Sequence, residues 1–317
     1  VNKLSELYQK GVSRRNFLAG AGAVGAAAAL AGCEGNSTPT TTTITSGGTT
    51  YTDADYLNFA LNLEYLEASF YLYAATGSGL PAASMGSGAG TVSGGAQITG
   101  LTSAQQNIIN EIAFDELSHV NFLRAALGSS AVAMPNLNIG SAFQTLAAAA
   151  GITISGGFSP YANFSNFLIG AFIFEDVGVT AYSGAAPLLT SATNLNYAAG
   201  IQAVEAYHAA YVRTSITALS QSAGSSALIT LANQVSTLRG TLGGGNETPL
   251  TYVSTLNASG NYQASSVVAA TSANAIAYAR TTDQVLHIVY GAGGGAGVAS
   301  GVFFPNGLNG NIKKTAS

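Results

Sequence analysis

Two Glu-x-x-His pairs, Glu116–His119 and Glu205–His208, constrain this chain more than any other feature. Each lies in an apolar stretch of helical period, where a spacing of three puts both side chains on one helix face. Two further glutamates sit on the inner stripes of other helical stretches. Glu64 shares a face with Leu57, Leu61, Ala68 and Tyr71, and Glu175 with Leu168, Ala171, Val179 and Tyr182. A carboxylate on such a stripe is costly unless it meets a cation or a proton.

The apolar period predicts helices over residues 53–76, 103–127, 162–185 and 194–219, with two more over 225–242 and 272–290. Ser103 and Gln106 are spaced as a capping box, Gly77 and Gly128 stand as C-terminal stops, and Pro187 closes the third helix. Between the second and third helices runs a long connection reaching about Pro160. The expected fold class is therefore all-α: a four-helix bundle with one long crossover, plus a helical and glycine-rich C-terminal extension.

One glutamate from each of two helices and a Glu-x-x-His from each of the other two is the ligand pattern of two-metal carboxylate bundles. The candidate metal ligands are Glu64, Glu116, His119, Glu175, Glu205 and His208. Glu67, one turn after Glu64, competes for the first role. Glu64 is preferred because Glu64 to Tyr71 repeats the spacing of Glu175 to Tyr182. Tyr71 and Tyr182 suit either hydrogen bonds to the ligands and electron transfer or plain packing, the simpler reading. Asp115 and Asp176 point away from the adjacent ligands and suit either orienting hydrogen bonds or plain solvation, the simpler reading. Glu111 reads as outward-facing and His287 as a structural histidine. No residue beyond the ligands is assigned a catalytic role, and no organic cofactor is expected.

The N-terminus carries an address. Ser13-Arg14-Arg15-Asn16-Phe17-Leu18 precedes an apolar run ending Leu30-Ala31-Gly32-Cys33, which resembles a twin-arginine signal with a lipoprotein-processing box. The run is about fifteen residues and glycine-rich, too short for a membrane span of roughly twenty. The organisation read from this is signal 1–32, Ser/Thr-rich tether 33–50, bundle 51–220 and extension 221–317. Cys33 is the expected lipidation site, making the membrane a partner and placing the protein on the periplasmic or outer cell surface.

Cys33 is the only cysteine, which excludes an intrachain disulfide, thiolate zinc sites and iron–sulfur clusters held by one chain. Beyond it six basic side chains face thirteen acidic ones, a balance that excludes nucleic-acid binding and disfavours acidic substrates. Carboxylate and imidazole ligands suit two ions of iron, or else manganese, better than copper.

These residues and their layout resemble the ferritin-like superfamily, and within it the exported ferritin-like-domain proteins that are also similar to plant desiccation-related proteins. The resemblance runs over roughly residues 53–310, including Leu61-Asn62-Leu63-Glu64-Tyr65-Leu66-Glu67-Ala68 and the closing Phe303-Phe304-Pro305-Asn306-Gly307-Leu308-Asn309-Gly310. It implies the two-metal site rather than a reaction; with iron as the preferred metal, the ligand chemistry makes oxidation of iron or reduction of O2 or peroxide the expected activity. The alternative is a surface or stress-protective protein whose metals only brace the bundle. Pairing with a second copy is left open, while the tether, insertions and extension argue against a closed storage cage.

Overall fold

The computed structural model describes residues 50–251 and 266–317. The expected signal, the lipidation site Cys33 and almost all of the tether lie outside the described residues. Helix α1 (Asp53–Thr76) is followed by the short α2 (Ala82–Met85), and α3 spans Ser103–Leu127. The crossover carries α4 (Ser141–Ala149) and leads to α5 (Phe164–Ala185) and α6 (Ala192–Ser222). Two more helices, α7 (Ala227–Leu242) and α8 (Thr282–Tyr290), complete the described set. Two-residue strands β1 (Val92–Ser93) and β2 (Leu137–Asn138) pair in parallel, tying the loop after α2 to the crossover.

Helix α1 packs along α3 and α5 along α6, and α1 also touches α5, so the molecule is an all-α four-helix bundle made of two helix pairs. Local signals set the ends. Thr52 caps α1 through a reciprocal box with Asp55, and Gly77 ends it with φ +76°, a left-handed conformation that glycine adopts without a Cβ penalty. The box on α3 is Thr102 with Gln105, one residue before the expected Ser103 and Gln106. Asn163 starts α5 at Phe164, two residues late, and Pro187 falls in a 3-10 turn that follows it.

The long connection is partly helical: Phe143 and Leu146 make α4 amphipathic and are buried. The last helix was expected from Ser272, but it begins only at Thr282, capped by Thr281 and Gln284. An antiparallel bridge between Thr271 and Ala277, with Ala275 at φ +59°, occupies the preceding stretch.

Helix α5 is long and apolar enough to cross a bilayer, but 78% of that stretch is buried inside the molecule. It is wrapped by α1, α6, α7 and α8, which is why it is apolar on every face. Phe143 of α4 meets Phe70, Phe174 and Phe303 with ring centroids 5.2–5.5 Å apart. The closing segment thus fills the core beside the bundle through Phe303, and Asn309 exchanges two hydrogen bonds with Asn62 of α1 at 2.9 Å. His287 is buried with its ring nitrogens 2.7 Å from the Ala292 carbonyl and 3.0 Å from that of Ser317. It lies in α8 and serves packing there.

Candidate metal centre

All six candidate ligands are buried, none more than 8% exposed, and their side chains converge between the two helix pairs. They form two groups that share Glu116. One is Glu64, Glu116, His119 and Glu205, and the other Glu116, Glu175 and His208, with one ligand atom of each residue within 4.8 Å of the others in its group. His119 Nδ1 lies 3.2 Å from Glu64, 3.4 Å from Glu116 and 3.5 Å from Glu205. His208 Nδ1 lies 2.9 Å from Glu116 and 3.7 Å from Glu175.

These approaches are close without the alignment of hydrogen bonds. Glu64 Oε2, both oxygens of Glu116 and Glu205, Glu175 Oε2, and Nδ1 of His119 and His208 are all buried with no hydrogen-bond partner. Each orphaned polar atom costs about 1–3 kcal/mol, and eight at one spot are not tolerated in an apolar core. They share one remedy, because oxygen and imidazole lone pairs aimed at common points are what a cation requires. The residues present fit metal ions.

The electrostatics without a cation make the same argument. Burial pushes Glu64 up to about 8 against the pull of His119. Glu175 stands well above the carboxylate range, chiefly through burial, and Glu205 is raised by burial and then by Glu116. Burial also opposes the charge on Glu116, yet the His119 and His208 rings bring it to about 2. Burial likewise disfavours an ionised His208, but Glu175 and Glu116 carry it to about 10. In the absence of metal the cluster holds protons in place of cations.

The residues around the ligands are ordered by contacts where the sequence favoured the simpler readings of packing and solvation. Tyr182 donates to Glu64 Oε1 at 2.5 Å, and Tyr71 donates to Glu175 Oε1, so each tyrosine crosses to the glutamate of the opposite pair. Both are hydrogen-bond donors as well as packing residues, and the repeated seven-residue spacing was their signal. Asp115 is not merely solvated: its Oδ2 lies 3.2 Å from His208 Nε2. With that nitrogen donating, Nδ1 is left as a lone pair facing the centre. Asp176 is buried and binds arginines rather than water. Glu67 is buried too, with burial and then Glu205 raising it far above the usual range; it joins neither group. Gly178 makes room for the site, since a Cβ there would strike Glu205 Oε2 and come within 3.5 Å of Glu67. Glu111 is exposed, as expected.

A cleft of about 410 Å³ opens between α3 and α6, lined by Ile112, Asp115, Val204, Tyr207, His208 and Tyr211 among others. It brings solvent to the outer edge of His208.

Residues 52–218 match the family described as ferritin-like domain. The chain belongs to this ferritin-like family. Residues 11–31 match the twin-arginine translocation pathway signal sequence, which supports export across a membrane. The ferritin-like catalase Nec2 of Nesocodon mauritianus is 30% identical over 281 residues, covering 86% of this chain and 88% of the relative. The desiccation-related protein PCC13-62 of Craterostigma plantagineum is 32% identical over 243 residues, covering 74% of this chain and 76% of the relative. The ferritin-like bundle and its buried Glu/His cluster thus form a site that can hold metal ions.

Proposed function

We propose that this exported ferritin-like protein is a two-metal oxidoreductase that consumes hydrogen peroxide, with Glu64, Glu116, His119, Glu175, Glu205 and His208 as its ligands. The observation that carries the reading is the set of eight orphaned ligand atoms in two groups sharing Glu116. The relative named a catalase supports peroxide over other oxidants. Disproportionation converts two peroxides into O2 and two waters, so one substrate molecule supplies the electrons the other accepts. An exported protein needs no separate reductant for this.

Iron or manganese, when bound, supplies a pair of one-electron redox centres. The chain does the rest. Glu116 spans the two groups, and Asp115 fixes the His208 tautomer. Tyr71 and Tyr182 hold one oxygen each of Glu175 and Glu64, which aims the free oxygen of each carboxylate at the centre. The α3–α6 cleft admits a molecule as small as peroxide, while the aromatic core beyond keeps bulk water out. Cys33 serves as the lipid anchor on the far side of the tether, with several acyl chains giving a stable hold.

Elemental analysis and oxygen evolution from hydrogen peroxide test the reading together. Wild-type protein should carry about two irons or manganeses per chain and evolve O2, and Glu116→Ala should lose both. A wild type that stays empty after incubation with Fe(II) and Mn(II) sinks it. A second reading draws on the desiccation-related relative and the 8% charged composition: the metals only brace the bundle. It predicts a metal-loaded protein that loses thermal stability in Glu116→Ala but never evolves O2.

A further inference from the structure

The two helix pairs carry a second correspondence outside the ligand set. Arg124 follows His119 by five residues and Arg213 follows His208 by five. Each arginine reaches across to the residue that directly follows the lone ligand glutamate of its own pair. Arg124 donates to the Tyr65 hydroxyl at 2.6 Å, next to Glu64. Arg213 pairs with Asp176 at 3.0 Å, next to Glu175. Five residues is a rise of about 7.5 Å, so both bridges close their helix pair just over one turn beyond the histidine.

Each bridge also ties its pair to a segment outside the four helices. Arg124 and Tyr65 both donate to the Val132 carbonyl of the crossover, at 3.3 and 3.1 Å. Arg213 donates to the Thr248 carbonyl at 3.1 Å and to Ser266 Oγ at 2.9 Å. Asp176 then continues to Arg239, Arg239 to Glu247, and Glu247 to Arg280, a buried chain of alternating charge. A buried ion pair contributes little net stability compared with apolar residues of equal volume. Stability alone therefore does not account for three fully buried arginines here. Fixing a geometry does, because Glu175 and His208 face each other across the same two helices that Asp176 and Arg213 join.

We propose that Arg124 and Arg213 are matched positioning residues for the metal centre, each holding one helix pair in register so that its glutamate and histidine meet one ion. The inference rests on the two-metal reading. Arg124 would govern the group containing Glu64 and His119, and Arg213 the group containing Glu175 and His208.

Co(II) titration of the folded protein, followed by visible absorption, separates the possibilities. Arg213→Lys keeps the charge but loses the guanidinium fork, and should weaken one of two Co(II) equivalents about tenfold with an altered spectrum. Arg124→Lys should weaken the other equivalent and leave the first intact. Arg280→Lys, four ion pairs along the chain from Arg213 of α6, should lower the melting temperature without changing either affinity or spectrum. Unchanged affinities and spectra in both positioning variants, or equal loss of both equivalents in step with melting temperature, overturn the proposal. Should Arg213→Lys fail to fold, the half-buried Arg124 decides alone. A wild type that takes up no Co(II) would overturn the two-metal reading instead.

Discussion

The pair α1/α3 and the pair α5/α6 present the same ligands in the same register, yet they are held by different means. Glu64, Tyr71, Glu116, His119 and Arg124 in the first correspond to Glu175, Tyr182, Glu205, His208 and Arg213 in the second. The supports are not matched. Position 65 is a tyrosine that shares the Val132 carbonyl with Arg124, whereas position 176 is a buried aspartate in an ionic chain that runs into the C-terminal extension. His208 has Asp115 behind it, the residue before Glu116; at the matching sequence position, before Glu205, stands the uncharged Val204. The bundle can thus build a nearly symmetric centre on asymmetric scaffolding, and the asymmetry forecasts unequal sensitivity to substitution.

The largest difference should appear at the bridges. Asp176→Asn leaves Arg213 and Arg239 buried beside a neutral group, a loss of about 3–5 kcal/mol for a broken buried pair. Tyr65→Phe removes one hydroxyl from a partly solvated arginine and should cost about 1 kcal/mol. Urea unfolding of the two metal-free variants measures both. Equal losses would mean that the ionic chain is no more demanding than its neutral counterpart.

Next comes the unequal backing of the two histidines. Asp115→Ala should weaken only the equivalent held by His208, by about 10–100-fold, visible in a two-site Mn(II) titration. Val204→Ala, at the matching sequence position before Glu205, should leave both affinities alone. If both variants behave alike, the contact between Asp115 and His208 has no bearing on metal binding.

A smaller effect should follow at the third pair of matched positions, where Glu67 stands three residues after Glu64 and Gly178 three after Glu175. Only a glycine leaves Glu205 where it is. Gly178→Ala should push the flexible end of Glu205 aside, weakening metal about tenfold while an alanine in a helix interior costs the fold little. A large stability loss with unchanged affinity would show instead that the backbone yields and Glu205 does not.

Much of this was legible in the chain because helical period alone places Glu64, Glu116, His119, Glu175, Glu205 and His208 on inner faces. What period cannot show is which helix stands opposite. Asp115 and Asp176 look alike in sequence, each beside a ligand, yet one meets a histidine across the cleft and the other a pair of arginines. Tyr71 and Tyr182 are visible as a repeat that suits donors, but their partners are not, since each bonds a glutamate from the other pair. Thr102 and Ser103 both precede a glutamine by three, so composition offers two capping boxes and only the backbone chooses. Helix α4 was hidden for another reason: nine residues amid alanine and glycine give too few periodic apolar positions to separate a helix from a loop.

The smallest effect belongs to the seam between the pairs. Asp53, at the start of α1, accepts from the Thr190 and Ser191 amides, the Thr190 hydroxyl and the Asn194 amide at the start of α6, all at 2.9–3.0 Å. Burial opposes its charge, but those bonds bring it down to about 2, from 3.8. A depressed folded value means the stabilisation is complete above about pH 4 and drains away as pH falls through about 2. Because Asp53 is near the surface, solvent screening limits it to about 1 kcal/mol at most. In metal-free protein Asp53→Asn should therefore be slightly less stable than wild type at pH 7, and the gap should close near pH 2. A gap of the same size at both pH values would make Asp53 a packing residue at the seam, and the charge on its carboxylate irrelevant to how the two pairs are joined.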